Sequence, residues 1–383
     1  MRILLISNYR LDKQQSMLRY AEMLRDELSN QGHVVNVVHP PVVLGALPFL
    51  PGPLKKWIGY IDKYLLAPAY LRKQADQADI VHICDHSNSM YLRCAGVRPA
   101  LITCHDLLAI YAARGMYPAV KIGMTGRILQ GWIATNLSRA EHVICVSSKT
   151  QNDLESLTPG ISSMTTVIHH YLNWNYSPAP SESIAEAKER NGLEPDTEYL
   201  LHVGGNQWYK NRLGVIQIFS ALRKHPRFQH MKLIMAGKPW TSEMRMQCEL
   251  FGLTNEIIER VEVSNDELRS LYSGAVALLF PSYEEGFGWP VLEAQACGCP
   301  VITSNRPPMT EIAGEGAQFI DPEVPEQAAQ AIVDHIQNLP LLRIAGFKNL
   351  TRFAKNRMIE RYLAFYAQVM SGQKKFATEK KAD

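Results

Sequence analysis

Two glutamates stand on either side of a short glycine-containing turn in the second half of the sequence. Glu285 and Glu293 lie in the stretch PSYEEGFGWPVLEAQACGCPVI, residues 281–302, with seven residues between them. The apolar run before the turn predicts a strand, and Pro290 suits the first turn of a following helix. Amides at such a helix start carry the positive end of the helix dipole and favour phosphate, and glycines let a ligand approach the backbone. The residues of this turn are Gly286, Phe287, Gly288 and Trp289.

Carboxylates beside a phosphate site can accept charge-assisted hydrogen bonds from the hydroxyl groups of a sugar nucleotide. The alternative is a pair of helix-stabilising charges, each worth about 0.5 kcal/mol. That alternative requires one acid near the first helical turn, whereas Glu285 precedes the turn and Glu293 lies inside the helix. The spacing therefore favours a pocket for a sugar that is attached to a phosphate.

The elements that must position these residues alternate along all 383 residues. Short apolar runs alternate with helical patterns, which is typical of parallel sheets covered by helices on both faces. The strand candidates are residues 2–7, 33–38, 79–83, 100–104, 142–147 and 165–170, and then 199–205, 232–237, 260–263, 276–282, 300–304 and 317–321. The sequence therefore predicts an α/β protein of two doubly wound, Rossmann-like domains that face a cleft, with ligands at the carboxyl ends of the strands.

Composition excludes several functions. The 40 Lys and Arg residues nearly balance the 37 Asp and Glu residues, so a nucleic-acid-binding surface is not expected. The seven cysteines are typical of reduced core thiols, and Cys297-Gly-Cys299 lacks the spacing of a zinc site. No Asp-x-Asp motif is present to clamp a divalent metal on a diphosphate. The first residues do not resemble a signal peptide, and no apolar run reaches about 18 residues, so we expect a cytoplasmic protein.

The glutamate motif and three further stretches together resemble the family-4 glycosyltransferases, which are retaining, nucleotide-sugar-dependent enzymes of the GT-B fold. The further stretches are HVGGNQWYKNRLGVIQIFSAL (202–222), EVSNDELRSLYSGAVALLFPS (262–282) and TCHDLLAI (103–110). The resemblance covers most of the second domain and scattered parts of the first. It implies transfer of a hexose from a nucleotide sugar to a hydroxyl of a glycan or lipid-linked glycan, as in the assembly of cell-surface polysaccharide or lipopolysaccharide. It implies no metal or other cofactor, and it leaves UDP-, GDP- and ADP-sugars open as donors.

The resemblance also assigns roles to individual residues. Glu285 matches the acid that holds the sugar hydroxyls, and Glu293 matches the acid that holds the ribose. Lys210 matches the lysine that offsets the leaving pyrophosphate, and His105 matches a histidine near the hydroxymethyl group of the sugar. Taken alone, each of these residue types has an equally good structural explanation. A lysine is common at a helix start, a glycine in a turn and a histidine after a strand. The remaining donor-binding residues implied are Gly204, Gly205, Asn206, Val263, Ser264, Gly286, Phe287, Gly288 and Trp289.

The resemblance and the composition together predict the domain boundaries. Residues 1–174 form an acceptor-side domain, and residues 199–350 form the nucleotide-sugar-binding domain. Residues 175–198 lose the apolar pattern and gather Pro, Ser and Glu, which predicts a linker. Residues 351–370 are predicted to be a helix that returns to the first domain, and residues 371–383 a disordered tail.

Three stretches depart from the family pattern. Gly205 stands where members often carry Arg, which leaves Asn206 or Arg212 to take its place, or the phosphate site weaker. The glycine-rich loop after the first strand is replaced by NYRLDKQQSM (8–17), and HHYLNWN (169–175) differs from the usual Asn-Gly turn. Two alternatives therefore stay open, a scaffold with little activity and an epimerase or phosphorylase of the same fold. A nicotinamide-dependent oxidoreductase is disfavoured, because neither first loop has a G-x-G-x-x-G turn.

Residues 40–73 interrupt the alternation with a segment rich in Pro, Leu and aromatic residues. The residues concerned are Lys55, Lys56, Lys63, Arg72 and Lys73 beside Trp57, Tyr60, Tyr64 and Tyr70. Basic residues interleaved with aromatic ones can lie in a membrane interface. An insertion folded over the core of its own domain explains the pattern equally well. We therefore hypothesise reversible peripheral contact of residues 54–73 with anionic membrane at its cytoplasmic face.

Overall fold

A computed structural model describes residues 1–12, 14–47, 52–118 and 120–372. The chain divides into two compact units, of which the first contains residues 1–173 and the chain from Lys355 onward, and the second contains Trp174–Ala354. Each unit holds one six-stranded sheet. The predicted fold class, two parallel α/β sheets with helices, is confirmed. All but the first two residues of the predicted tail, 371–383, lie outside the described residues.

The sheet of the first unit has the strand order β2-β1-β3-β4-β5-β6, with every pairing parallel. Its strands are β1 (Arg2–Ile6), β2 (Val34–Val38), β3 (Ile80–Ile83), β4 (Ala100–Cys104), β5 (Val143–Cys145) and β6 (Thr165–Val167). The central strands are buried on both faces, which is why they read as continuous apolar runs. Each of the six strand predictions for this half of the chain overlaps an observed strand.

Six helices of the first unit precede the second unit in the chain. They are α1 (Gln15–Asn30), α2 (Gly52–Ile61), α3 (Ala67–Ala75), α4 (Leu108–Ala113), α5 (Met124–Leu137) and α6 (Ser148–Leu157). Helix α1 buries Tyr20, Ala21, Leu24 and Leu28, the helical spacing that its sequence predicts. Gly32 ends this helical region with a φ of 80°, a left-handed conformation that favours glycine.

Helices α2 and α3 are joined by one π-helical turn, Asp62–Leu66, so residues 52–75 form a continuous helical segment. Asp62 is fully buried and accepts hydrogen bonds from the amides of residues 43–45 and from the hydroxyl of Tyr9, at 2.7–3.1 Å. These bonds outweigh the effect of burial and lower the pKa of Asp62. The inserted segment is therefore fixed to the loops that follow β1 and β2. Across the described parts of the chain, no helix combines the length and apolarity needed to span a bilayer.

The sheet of the second unit has the order β12-β11-β10-β7-β8-β9 and is also entirely parallel. Its strands are β7 (Tyr199–Gly204), β8 (Lys232–Gly237), β9 (Ile257–Val261), β10 (Ala277–Phe280), β11 (Val301–Ser304) and β12 (Ala317–Ile320). The prediction for β9, residues 260–263, was shifted toward the C-terminus. Glu262 adopts a φ of 57° and ends the strand there, so β9 takes Ile257 and Ile258 instead.

Eight helices cover the second sheet. They are α7 (Ser181–Arg190), α8 (Arg212–Leu222), α9 (Ser242–Leu250), α10 (Asn265–Gly274), α11 (Trp289–Ala296), α12 (Met309–Ala313), α13 (Pro325–His335) and α14 (Leu339–Leu350). The prediction that residues 175–198 are a linker was wrong for its middle part, because α7 lies there and belongs to the second unit. Helix α7 buries only Ala187 completely, which explains why its apolar pattern is faint.

The chain then returns to the first unit as helix α15 (Lys355–Ser371). Its tyrosines are fully buried and hydrogen-bonded to residues near the start of the chain. The hydroxyl of Tyr362 lies 2.9 Å from that of Tyr20, and the hydroxyl of Tyr366 lies 2.7 Å from Nδ1 of His82. His82 Nε2 in turn lies 2.7 Å from the hydroxyl of Thr103. Helix α15 is thus a structural part of the first unit.

Candidate functional site

The end of β7 and the loop after it hold three of the predicted donor-binding residues and the predicted lysine. Gly204 is the last residue of β7, and Gly205 and Asn206 follow in the loop. A short 3₁₀ turn then ends at Lys210, immediately before Asn211, the N-cap of α8. The side chain of Asn211 accepts a hydrogen bond from the amide of Gly214 and donates one to the carbonyl oxygen of Pro281, at 3.1 and 3.0 Å. The loop after β7 is therefore tied to the loop after β10.

Lys210 and Glu285 form an ion pair at the carboxyl ends of β7 and β10. Lys210 Nζ lies 2.6 Å from Glu285 Oε1, and the side chains are only 16% and 8% exposed. The ammonium group also lies 5.2 Å from the centre of the Phe280 ring, within the range of a cation–π contact. Two of the three residues predicted to be catalytic are therefore brought into direct contact. Since each neutralises a buried charge on the other, removing either would leave an uncompensated charge.

Helix α11 begins where the sequence predicts. Gly288 is its N-cap with a φ of 101°, Trp289 is its first residue, and Pro290 follows. A side chain at position 288 would be strained by this backbone conformation and would overlap the side chain of Met309. The first four N–H groups of an α-helix have no acceptor within the helix. Gly286 and Phe287 lie in the loop between Glu285 and this helix start, and Phe287 is buried against Phe353 with ring centres 6.1 Å apart.

Glu293 lies in the second turn of α11 and is only 5% exposed. The hydroxyl of Tyr272, on α10, donates a hydrogen bond of 3.0 Å to Glu293 Oε2. Tyr272 is fully buried, and burial followed by the charge of Glu293 raises its pKa well above the ordinary value. The tyrosine therefore remains a donor and fixes the direction of the carboxylate. Sequence reasoning missed Tyr272, although its place in the stretch LYSGAVALLFPS before β10 was a usable signal.

Val263 and Ser264 lie in the loop between β9 and α10. Ser264 is the N-cap of α10 and accepts a hydrogen bond of 3.2 Å from the amide of Glu267. Val263 is half-buried. The side chain of Ser264 is thus committed to the helix, so a contact with a nucleobase at this place would use backbone groups. Both residues belong to the second unit, as do all the predicted donor-binding residues.

His105 follows β4 in the first unit. Its Nε2 lies 2.8 Å from the carbonyl oxygen of Cys84 and must donate to it, so Nδ1, at 3.2 Å from His170 Nε2, is the acceptor in that pair. Burial lowers the pKa of His105, which keeps the imidazole neutral near pH 7. Both ring nitrogens are therefore engaged within the protein. That geometry does not suit a general acid or base, and the contact of His105 with a sugar stays a prediction.

Two further polar residues at the carboxyl end of β3 were missed by sequence reasoning. Asp85 is 3% exposed and accepts hydrogen bonds from the side-chain amide of Asn8 and the backbone amide of Ser87, at 2.5 and 2.9 Å. His86 Nδ1 lies 3.2 Å from Asp85 Oδ1. The signal was present, because polar residues directly after an apolar strand lie at the ligand-binding edge of a parallel sheet. Within the described ranges, no group of His, Cys, Asp and Glu has the arrangement of a metal site.

Two protein-family models match this chain. The model of glycosyl transferases group 1 matches residues 183–356, and the model of glycosyltransferase family 4 matches residues 17–172. Together the two matches cover most of both units. The chain belongs to the family-4 glycosyltransferases.

Individual relatives of this family-4 glycosyltransferase are distant. The O-antigen chain mannosyltransferase RfbU of Salmonella typhimurium is 27% identical over 291 residues, which cover 75% of this chain and 72% of the relative. Sucrose-phosphate synthase from Thermosynechococcus elongatus superposes with a TM-score of 0.74 at 20% identity, covering 97% of this chain and 100% of that one. Anabaena HepE in complex with UDP-glucose superposes with a TM-score of 0.69 at 17% identity, covering 96% of this chain and 99% of that one. These likenesses show the GT-B fold.

Proposed function

We propose that this glycosyltransferase moves a hexose, with retention of configuration, from a nucleotide sugar to a hydroxyl of a glycan or lipid-linked glycan. The Lys210–Glu285 ion pair beside the start of α11 carries the proposal, because it combines a cation for a diphosphate with a carboxylate for sugar hydroxyls. The name of the RfbU relative supports assembly of a cell-surface polysaccharide. The UDP-glucose bound to the HepE neighbour supports a nucleotide-sugar donor, with UDP, GDP and ADP all remaining candidates.

We propose a reaction without a metal ion. The bond between the sugar C1 and the leaving phosphate oxygen breaks, and the acceptor oxygen forms the new bond to C1 from the same side. The proton of the acceptor hydroxyl passes to an oxygen of the leaving diphosphate, so no protein base is needed. The helix start of α11 and Lys210 stabilise the negative charge that develops on the diphosphate.

Donor hydrolysis tests this proposal. We expect one of UDP, GDP and ADP to raise the thermal midpoint, since a ligand at 100 times its Kd adds about 2.7 kcal/mol to the free energy of unfolding. Nucleotide sugars of that base should then be hydrolysed slowly, and NMR should show that the sugar is released with the anomeric configuration of the donor. Binding without hydrolysis or transfer would favour the scaffold alternative, and release of the opposite anomer would contradict retention.

We also propose that the first unit makes peripheral contact with anionic membrane from the cytoplasm. Trp57, Ile61 and Leu65 follow one another at four-residue spacing and are 54%, 39% and 72% exposed. On α5, Met124 and Ile128 are 78% and 66% exposed. The two helical segments meet where the rings of Tyr64 and Trp132 pack with centres 5.1 Å apart. The side chains of Lys55 and Lys56 lie outside the described residues.

The charges of these two helical segments also favour an anionic membrane as the partner. Residues 63–75 and 107–140 contain no Asp or Glu. Their exposed charged side chains are Arg72, Lys73, Arg114, Lys121, Arg127 and Arg139. Asp12, which pairs with Lys63 at 2.8 Å, is an acid beside these segments. An apolar surface with this excess of cations is suited to anionic lipid headgroups, to which each cation near the surface contributes about 1 kcal/mol.

Vesicle co-sedimentation checks the membrane contact. With vesicles that contain phosphatidylglycerol at low salt, we expect the combined change Trp57→Ser and Leu65→Ser to lower the bound fraction about tenfold, because two interfacial anchors are lost. Val97→Ser is the matched control, since Val97 is 98% exposed and lies on neither segment. Failure of the unaltered protein to bind at low salt would contradict the contact without affecting the proposed reaction.

A further inference from the structure

Arg212 is a buried cation that is in electrostatic range of Glu259 but makes no direct contact with a carboxylate of the described residues. It is the first residue of α8 and is only 4% exposed. Its Nη1 donates to the side-chain oxygen of Asn206 and, at 2.8 Å, to the carbonyl oxygen of Lys238. Its Nε and Nη2 are buried without a hydrogen-bond partner among the described residues. No carboxylate of those residues hydrogen-bonds to the guanidinium group, so the charge is not neutralised by direct contact.

This position is unfavourable for an arginine in the ligand-free protein. Charged groups are almost never fully buried unless they are paired, since desolvation costs several kcal/mol. A cation at a helix N-terminus also meets the positive end of the helix dipole, and α8 is 11 residues long. Both costs are relieved if an anion binds at the start of α8. The buried and unsatisfied guanidinium is therefore a second observation, independent of the helix start, that indicates a bound anion.

Arg212 also connects the loops that follow two neighbouring strands. The side-chain oxygen of Asn206 accepts from Arg212, and its amide group donates to the carbonyl oxygen of Pro239 at 2.7 Å. Asn206 lies in the loop after β7, which contains Lys210, and Pro239 lies in the loop after β8. Arg212 thus holds the backbone of the β7 loop in one place at the carboxyl edge of the sheet.

The positive charge of Arg212 matters because that of Lys210 is already balanced. Lys210 is paired with Glu285 at 2.6 Å, so the pair has no net charge with which to attract a diphosphate. Both cations act on His202, a buried residue within β7, whose pKa is lowered to about 3 by burial and by the charges of Arg212 and Lys210. The charges of Arg212 and Lys210 therefore act on the same part of β7, next to the loop that follows it.

We propose that Arg212 supplies the second positive charge of the diphosphate site and positions the β7 loop through Asn206, in place of an arginine at Gly205. It is a positioning residue: its charge acts on the site from a buried place, and its hydrogen bond to Asn206 holds the β7 loop. This inference rests on the proposed function, and it names Arg212 rather than Asn206 as the source of the missing charge.

Titration calorimetry with UDP, GDP and ADP, followed by the nucleoside of whichever binds, tests the role of Arg212. We expect Arg212→Gln, which keeps a hydrogen-bond donor but removes the charge, to weaken the diphosphate at least tenfold and the nucleoside less than twofold. Arg212→Lys should retain diphosphate affinity within about threefold of the unaltered protein. Arg227→Gln is the matched control, because Arg227 lies in the same unit but is 43% exposed and paired with Glu198. That control should bind both ligands as the unaltered protein does.

The outcomes separate this inference from the proposed function. If the unaltered protein binds none of the three diphosphates, the nucleotide-sugar proposal fails. If it binds one and Arg212→Gln binds it equally well, or loses diphosphate and nucleoside in equal proportion, only the role of Arg212 is overturned. Should Arg212→Gln fail to fold, the exposed Asn206→Ala variant tests the positioning of the β7 loop, because it removes the acceptor through which Arg212 holds that loop. It should weaken the diphosphate severalfold and leave the nucleoside unchanged, and equal affinity for the diphosphate would overturn the inference.

Discussion

Replacing Glu285 with Gln, or Lys210 with Ala, is expected to lower kcat by about two orders of magnitude or more, because each change removes a preorganised charge from the donor site. The ion pair of 2.6 Å adds a second effect, since each single variant leaves its partner as a buried and uncompensated charge. We therefore expect both variants to lose stability as well. Initial-rate kinetics with the identified donor, together with thermal midpoints, would measure the two effects separately.

A double-mutant cycle distinguishes a functional pair from a structural one. The variant with both changes should regain part of the lost stability but none of the lost activity, because neither buried charge is then left without its partner. Lys232→Ala is the matched control. Lys232 forms an ion pair of 3.0 Å with Glu256 in the same unit, away from the predicted site residues, and its loss should leave kcat unchanged. Full activity in both Lys210→Ala and Glu285→Gln would refute the assignment of the site.

Gly237→Ala is expected to lower the free energy of unfolding by about 3–5 kcal/mol, at the upper end of single substitutions. Gly237 ends β8 beside Gly204 of β7 with a φ of 146°, and a Cβ there would overlap the carbonyl oxygen of Gly204. Since backbone rather than a flexible side chain stands in the way, the two strand ends would have to separate. Denaturant unfolding would measure the loss, and weaker donor binding should accompany it because the β7 loop starts at Gly204.

Gly192→Ala separates the cost of a left-handed backbone conformation from the cost of steric overlap. Gly192 has a φ of 66° and no atom within 4 Å of the position that a Cβ would take. Its replacement should therefore cost only the conformational penalty of about 1–2 kcal/mol for a left-handed residue. Equal losses for the two variants would show that the close approach of β7 and β8 contributes nothing.

The strands could be predicted because the core of a parallel sheet demands continuous apolar runs. All twelve predictions fall within about three residues of the observed bounds at each end, and only that for β9 is shifted as a whole, because of a single backbone feature. The residue type of Glu262 does not predict a left-handed conformation, which is set by the turn into α10. The helix α7 was missed for a related reason, since a helix that buries one alanine leaves little periodicity to read.

The site was predictable where the chain itself brings the residues together. The turn from Glu285 to Trp289 and the helix start behind it are local, and the structure has both as the sequence indicated. The contact of Lys210 with Glu285 joins residues 75 positions apart and depends on the pairing of β7 with β10. The burial of Arg212 could not be predicted from the sequence, because an arginine at a helix start is ordinarily exposed. Partners such as Tyr272 follow from tertiary packing and not from a motif.

The return of α15 to the first unit sets an order in which the chain can mature during translation. The second unit is one uninterrupted segment, so it can acquire its complete set of internal contacts as soon as Ala354 has left the ribosome. The first unit begins earlier but finishes later, because Tyr20 and His82 meet their tyrosine partners only when α15 emerges. In nascent chains arrested between these two points, the first sheet would have all six of its strands but not α15, and Tyr20 and His82 would lack their tyrosine partners.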